Sequence, residues 1–253
     1  MKIGIMGAMP EEINHIKELM DITDIQTIGK REFYSGKIHD HDVTLVFSRW
    51  GKVAATCSVT TLLDTYGVDF ILFTGVAGGV DPSLNVGDVV IAESLYQHDM
   101  DGRPFFPRFQ IPLTDHKIFR PREEHIELAH ECITSFLSET KTKISRAKLD
   151  KFSILKTSRV VKGTIATGDR FVGDAHACDS LSIEEDGIKA VAVEMEGAAV
   201  AQICEDYDKP YLIIRIISDN ADHTAHVDFE EFIDEIASEY SAGIASNFLS
   251  RLN

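Results

Sequence analysis

The sequence predicts an α/β protein, and the clearest evidence lies between residues 190 and 222. Two apolar runs of strand length, Ala190–Val193 and Tyr211–Ile217, flank Gly197–Asp206, where small and apolar residues recur at helical spacing. This strand–helix–strand pattern is typical of α/β proteins. The 253 residues contain no evident linker, internal repeat or low-complexity tract, so we predict a single domain over residues 1–253.

Ionisable residues follow both strands of this unit. Glu194 and Glu196 close the first strand, and Ser218, Asp219 and Asp222 close the second. In open α/β sheets, ligands bind beyond the carboxyl ends of the strands, so these side chains are expected to face one crevice. Buried carboxylates are costly unless they are paired, and packing alone does not explain acids at these positions. The pattern favours a functional role for Glu196 and Asp219 over the alternative, solvated loop acids.

The composition restricts the class of partner. Hydrophobic residues make up 44% of the chain and charged residues 26%, as in an ordinary globular protein. The formal net charge of −16 argues against nucleic acids and anionic membranes, since both require a basic face. The four cysteines form no CxxC pair, and neither a membrane span nor a signal peptide is evident. We therefore expect a cytoplasmic protein with a small-molecule ligand.

The chain begins with a predicted strand, Lys2–Met6, followed by a turn and a helix that starts at Pro10. Glu11 and Glu12 then occupy the first helical turn, where the helix dipole favours acids. A capping role and a functional role are both open for this pair.

Further strands and helices are predicted along the rest of the chain. The strands are Phe33–Ile38 and Val43–Phe47, which should form a hairpin, and Phe70–Phe73, Val89–Ala92 and Val160–Ala166. The helices are Val53–Tyr66, Arg122–Thr140, Ala177–Glu185 and Asp228–Leu252. Lys141–Arg159 is polar and basic and is expected to be a surface segment.

Two loops could contribute to a site. The glycine-rich segment Thr74–Gly79 would let a ligand approach the backbone closely, but it is neither GxGxxG nor a P-loop. Gln97–Pro112 holds three phenylalanines and three prolines, which suits a partner surface or a pocket lid. His98, Asp99 and Asp101 match no common zinc or calcium spacing, so we predict no metal and no cofactor.

Two aromatic residues lie next to predicted turns. Trp50, the only tryptophan, follows a strand and is either a core aromatic or a pocket wall. Phe171 follows the turn after another strand, and it could stack on an aromatic ligand or fill the core.

Seven segments together resemble one family. GAMPEE, TGVAGG, VGDVV, HDMD, TGDRF, VEMEGAA and RIISDNAD occur in the order and spacing of the 5′-methylthioadenosine/S-adenosylhomocysteine nucleosidases, which belong to the nucleoside phosphorylase superfamily. The resemblance covers nearly the whole chain. It implies a mixed central β-sheet flanked by helices, a homodimer, and hydrolysis of an N-glycosidic bond that releases adenine from 5′-methylthioadenosine, S-adenosylhomocysteine or 5′-deoxyadenosine.

The resemblance also implies a role for individual residues. Asp219 would protonate N7 of adenine while Ser218 holds its carboxyl, and Glu12 would orient and deprotonate the attacking water, with Arg215 nearby. Glu196 would accept hydrogen bonds from the ribose hydroxyls. The other implied substrate-binding residues are Met195 at the sugar, Phe171 and Val172 at the purine, Met9, Trp50 and Phe229 around the 5′ group, and also Val76 and Glu194. Phe105 and Pro112 would reach into the pocket of the partner subunit.

The chemistry needs the same residue types. Breaking an N-glycosidic bond builds positive charge on the ribose and negative charge on the base, so a carboxylate beside the sugar and an acid beside the base meet both demands. The acid must keep its proton near neutral pH, and we therefore predict that burial raises the pKa of Asp219.

The nucleophile distinguishes hydrolysis from phosphorolysis. Phosphate needs a cationic cradle, whereas water needs a base, and Met9–Glu12 is followed by no arginine until Arg31. This favours hydrolysis over a purine nucleoside phosphorylase. A nucleosidase for 6-amino-6-deoxyfutalosine and a catalytically silent nucleoside-binding protein are further alternatives.

Two residues depart from the family pattern. Val76 stands where many relatives carry a serine near the water site, which removes one possible hydrogen bond. Trp50 replaces a smaller aliphatic residue on the 5′ side. A bulky indole there would narrow the pocket and favour 5′-methylthioadenosine or 5′-deoxyadenosine over S-adenosylhomocysteine.

Overall fold

The computed structural model describes residues 1–143, 158–173, 181, 187–219 and 236–252. Its strands are β1 (Lys2–Gly7), β2 (Asp21–Ile28), β3 (Arg31–Ile38), β4 (His41–Phe47), β5 (Phe70–Gly79), β6 (Val89–Gln97), β7 (Val160–Thr167), β8 (Ala192–Glu194) and β9 (Tyr211–Asp219). Its helices are α1 (Pro10–Leu19), α2 (Lys52–Asp64), α3 (Glu123–Lys143), α4 (Gly197–Asp206) and α5 (Ser238–Leu249). Among these helices, none has both the length and the hydrophobicity needed to span a bilayer.

All these strands belong to one mixed sheet, in the order β2-β3-β4-β1-β5-β8-β7-β6-β9. Strand β1 lies parallel between β4 and β5, while β2, β3 and β4 form an antiparallel meander at one edge. Strand β9 also pairs in parallel with β5, so the strands from β5 to β9 close into a ring. The predicted single α/β domain with a mixed central sheet is confirmed.

The alternation of side chains along the strands builds an apolar layer on each face of the sheet. In β1, Ile3 and Ile5 pack with residues of α1, α3 and α5, whereas Met6 packs with residues of α2 and α4. Strand β9 is buried at every residue. Arg215 differs from its apolar neighbours in this strand, because its buried side chain carries a positive charge.

Most predicted elements are present with changed bounds. The β3–β4 hairpin and α4 agree with the prediction, but β5 continues past Phe73 through the glycine-rich segment, and β6 continues to Gln97. Strand β2 was not predicted. Its side chains are almost all exposed, so it carries no apolar alternation that would indicate a strand. Most of Lys141–Arg159, all of Ala177–Glu185 except Leu181, and the first part of Asp228–Leu252 lie outside the described residues.

Candidate active site

A cavity opens where β5, β8 and β9 end, as expected for ligand sites in α/β sheets. Counted with its open mouth, the cavity encloses about 540 Å³. The predicted site residues in its wall are Met9, Glu12, Trp50, Val76, Phe171, Val172, Glu194, Met195, Glu196, Ser218 and Asp219. Phe105 and Pro112 are not part of this wall, and Phe229 lies outside the described residues.

Glu12 is held at the N-terminus of α1. Its side chain turns back so that Oε2 accepts hydrogen bonds from the N–H groups of Ala8 at 2.6 Å and Met9 at 3.0 Å. Oε1 accepts a third bond, from the N–H of Val76 on β5, at 3.0 Å. A Cβ at position 75 would lie 2.6 Å from Oε1, so any larger residue there would displace the Glu12 carboxyl. Burial raises the pKa of Glu12 to about 7, although Arg215 and these N–H donors oppose the shift.

Glu194, which lines the cavity, and Arg215, which does not, form a buried ion pair. The Arg215 guanidinium packs 4.1 Å from the centre of the Phe73 ring, and its Nη2 donates to Glu194 Oε2 at 2.7 Å. The same oxygen accepts the N–H groups of Glu196 at 3.0 Å and Gly197 at 2.7 Å, while the Thr167 hydroxyl donates to Oε1. Both oxygens of Glu194 are therefore engaged by the chain itself.

Glu196 lies at the N-cap of α4 and faces the cavity. Its Oε1 accepts the N–H of Gly51 at 2.8 Å, and its Oε2 lies 4.0 Å from Arg215 Nη2. Burial and the nearby charge of Glu194 raise the pKa of Glu196 to about 8, against the opposing effects of Arg215 and Gly51. A carboxyl with such a pKa can hold a proton near neutral pH.

Asp219 ends the fully buried strand β9 and is itself 3% exposed. The pairing of β5 with β9 shifts register between Ala77 and Gly78, where β9 holds one more residue than β5. Such a shift re-aims side chains at a strand end. The hydroxyl of Ser218 donates to Asp219 Oδ2 at 2.8 Å, which fixes one face of the carboxyl.

The aromatic residues of the site lie nearer the solvent. Trp50 is 49% exposed and Phe171 is 40% exposed, whereas Val172 beside it is buried. The two aromatic side chains thus belong to the cavity wall near its mouth, and neither is a core residue. Arg170, which the sequence did not single out, also lines this part of the cavity.

Other contacts of the site were not predictable from local patterns. The Gly51 N–H and the Thr167 hydroxyl hold Glu196 and Glu194 from positions far away along the chain. Gly51 has φ +91°, a conformation that favours glycine. A glycine just before α2 is the sequence feature that could have indicated this turn. Within the described ranges, no group of three or more His, Cys, Asp or Glu side chains is placed to hold a metal ion.

Known proteins of one superfamily resemble this chain in sequence and in fold. The model of the phosphorylase superfamily matches residues 2–250. The 5′-methylthioadenosine/S-adenosylhomocysteine nucleosidase of Bacillus thuringiensis (strain Al Hakam) is 35% identical over 94% of both chains. The S. pneumoniae nucleosidase, solved with the transition-state inhibitor MT-ImmA, is 35% identical with a TM-score of 0.84 and full coverage of both chains. A futalosine hydrolase of Helicobacter pylori is 32% identical with a TM-score of 0.84, over 99% of this chain and 98% of that chain.

The family model and the curated relative both span nearly the whole chain. The chain therefore belongs to the phosphorylase superfamily and, within it, to the 5′-methylthioadenosine/S-adenosylhomocysteine nucleosidases.

Proposed function

We propose that this protein hydrolyses the N-glycosidic bond of 5′-methylthioadenosine, S-adenosylhomocysteine and 5′-deoxyadenosine, releasing adenine and a 5-thioribose or 5-deoxyribose product. The observation that carries the proposal is one cavity with a buried aspartate, Asp219, and two buried glutamates, Glu12 and Glu196, in its wall. The nucleosidases of Bacillus thuringiensis and S. pneumoniae support the choice of substrates.

Asp219 is the general acid in this mechanism. It donates its proton to N7 of adenine as the C1′–N9 bond breaks, so that the base leaves uncharged. The hydrogen bond from Ser218 keeps the carboxyl oriented, and the group is buried in the cavity wall. Phe171 stacks on the purine, and the backbone of Val172 binds its edge.

Glu12 and Glu196 act on the sugar side. Glu12 orients water and accepts its proton as the water oxygen bonds to C1′, and a pKa of about 7 suits a base at neutral pH. Glu196 binds the ribose hydroxyls, with Met195 packed against the sugar. Glu194 keeps Arg215 paired and fixes the start of α4, so its contribution to substrate binding is through position.

The charges around the sugar favour water over phosphate as the nucleophile. The Arg215 guanidinium is paired with Glu194, lies 4.0 Å from Glu196 and also interacts electrostatically with Glu12. Phosphate would meet acids where a phosphorylase needs a cationic cradle. Arg170, a cation that does line the cavity, is adjacent in sequence to Phe171, which we place at the purine.

We also propose a homodimer in the cytoplasm, with Phe105 and Pro112 closing the partner's pocket. Phe105 is 86% exposed, and Leu113 and Val53 are also largely exposed. Contiguous exposed apolar patches mark interaction surfaces, and we propose that Phe105 and Leu113 form such a patch in the dimer. Light scattering on the wild type and on Phe105→Ser checks the assembly, and a wild-type monomer would contradict it.

A second candidate substrate is 6-amino-6-deoxyfutalosine. The futalosine hydrolase of Helicobacter pylori shares the fold over nearly the whole chain, which favours this candidate over other nucleosides. Its reaction would use the same acid and the same base, so the two candidates differ only in the group that the 5′ end of the cavity accepts.

One assay tests the proposal and its alternatives. Adenine release is measured from all four nucleosides, with and without inorganic phosphate. We expect turnover of 5′-methylthioadenosine that does not depend on phosphate. A requirement for phosphate would indicate a phosphorylase, and binding without release from any nucleoside would indicate a silent nucleoside-binding protein.

A further inference from the structure

Three charged side chains outside the acid and base groups join two segments of the cavity wall. Lys52, Asp99 and Asp169, which we call the rim cluster, come from the start of α2, the loop after β6 and the loop after β7. Lys52 Nζ donates to Asp99 Oδ1 at 2.7 Å, and the Asp169 N–H donates to Asp99 Oδ2 at 3.0 Å. The Lys52 N–H donates to Asp169 Oδ1 at 2.8 Å, which closes the cluster.

The rim cluster goes against local preference. Lys52 is the first residue of α2, where the helix dipole disfavours a cation, and the first turn of α2 holds no acid of its own. The side chain of Lys52 is only 18% exposed, so its ordering also costs solvation and rotamer freedom. Residues that break local rules in this way are often found at functional sites.

The segments that the cluster joins carry two parts of the site. Trp50 and Gly51 immediately precede Lys52, and the N–H of Gly51 holds Glu196. Phe171 and Val172 follow Asp169 by two and three residues and form another part of the cavity wall. The contact between Lys52 and Asp169 therefore fixes these two wall segments against each other.

Asp99 is the member that bonds to both segments through its two oxygens. Burial works to raise the pKa of Asp99, but the hydrogen bonds from Lys52 and the Asp169 N–H outweigh it and keep that pKa below its usual value. Asp99 is therefore a carboxylate at neutral pH, with each oxygen engaged.

We propose that Asp99 is a positioning residue for nucleoside binding: through Lys52 and Asp169 it sets the relative placement of Trp50–Gly51 and Phe171–Val172. This inference rests on the proposed function, because it assigns these two segments to substrate contacts. Asp99 itself touches neither water nor base in the proposed reaction. Its loss should therefore weaken binding more than it slows the chemical steps.

The test compares Asp99→Asn, Lys52→Met and the double variant with the wild type, using 5′-methylthioadenosine. We expect Asp99→Asn to raise KM on the order of tenfold while kcat changes much less. The effects of the two single variants should not add, because either one removes the ion pair between Lys52 and Asp99. Lys52→Arg, which keeps the cation, should restore part of the loss. The matched control is Asp42→Asn, which removes an exposed carboxylate paired with Lys37 at 3.0 Å on the β3–β4 hairpin.

A second readout does not depend on turnover. Trp50 is the only tryptophan, and it lies two residues from Lys52, so its fluorescence reports the placement of this wall segment. Asp99→Asn should change its emission maximum and its quenching by acrylamide, and should weaken the binding of adenine followed by the same signal. The Asp42→Asn control should change none of these.

The outcomes separate the two proposals. A wild type that releases no adenine contradicts the proposed function, while the Trp50 signal of Asp99→Asn still decides the positioning role. Unchanged KM and unchanged Trp50 fluorescence in Asp99→Asn would overturn the inference. A lower Tm with unchanged KM and fluorescence would also overturn it, because the cluster would then only stabilise the fold.

Discussion

The two sides of the cavity hold their acids by different means. The carboxyl oxygens of Glu12, Glu194 and Glu196 accept backbone N–H groups at the N-termini of α1, α4 and α2, respectively. Asp219 instead ends a strand, and its Oδ2 accepts a hydrogen bond from the Ser218 hydroxyl. A backbone N–H can only donate, so it favours an ionised carboxyl, whereas a hydroxyl can donate or accept and tolerates either form. At Glu12 burial outweighs these donors and brings the pKa to about 7, which suits a base at neutral pH.

The largest expected effect comes from removing the acid. Asp219→Asn keeps the size of the side chain but has no acidic proton, and we expect kcat for adenine release to fall on the order of 10³-fold. Asp208→Asn, in an exposed turn, is the matched control and should behave as the wild type. Full activity of Asp219→Asn would remove this residue from the mechanism.

Glu12→Gln removes the base on the sugar side of the cavity. We expect a loss on the order of 10²-fold, because water then lacks its base. The pKa of Glu12 is raised to about 7, and a base must be ionised, so wild-type kcat/KM should fall as the pH is lowered through about 7. The residual activity of Glu12→Gln should lack this acidic limb. If the limb persists in the variant, another group is responsible for it.

A smaller effect is expected where the chemistry of both sides is left intact. Trp50→Ala enlarges the cavity near its mouth without touching an acid, and kcat/KM for S-adenosylhomocysteine should rise relative to 5′-methylthioadenosine by about tenfold. Trp50→Phe, which remains bulky, should change the ratio much less. An unchanged ratio in Trp50→Ala would show that the indole does not select the 5′ group.

The smallest effect concerns stability. Burial and the charge of Glu194 raise the pKa of Glu196 to about 8, while the same group in the unfolded chain titrates near its ordinary value. Between these two pH values Glu196 is protonated in the folded state and ionised in the unfolded state. The free energy of unfolding should therefore fall as the pH rises from about 4.5 to about 8. Glu196→Gln cannot titrate, so its free energy of unfolding should fall less between pH 5 and pH 8 than that of the wild type, by at least about 1 kcal/mol.

Urea titrations at pH 5 and pH 8 measure this difference. Glu18→Gln, at an exposed position of α1, is the control and should keep the wild-type dependence on pH. If the free energy of unfolding changes equally between pH 5 and pH 8 in the wild type and in Glu196→Gln, Glu196 is ionised in the folded protein at neutral pH, contrary to the proposed environment.

Features with a local cause could be predicted from the sequence. Apolar runs gave the buried strands, and acids directly after them indicated the cavity that Glu196 and Asp219 line. From the sequence, Glu12 could have been a helix-capping residue or a functional residue. The structure shows the capping contact and places the same side chain in the cavity wall, so the two readings are compatible.

Features with only a tertiary cause could not be predicted. Strand β2 forms by backbone hydrogen bonding to the edge of β3, while its own side chains are nearly all exposed. The extension of β5 to Gly79 depends on β8 and β9, which supply partners for the glycine-rich residues. The Gly51 contact to Glu196 joins distant parts of the chain, and no local pattern encodes it.

The ring formed by β5 to β9 affects how the protein is made. Strand β5 pairs with β9 in registers such as Ile71 with Tyr211, so its partner leaves the ribosome much later than β5 itself. Contacts between such distant residues form slowly, and an unpaired apolar edge is open to aggregation meanwhile. Asp219 is the last residue of β9, and the active centre can therefore assemble only after residue 219 has been synthesised.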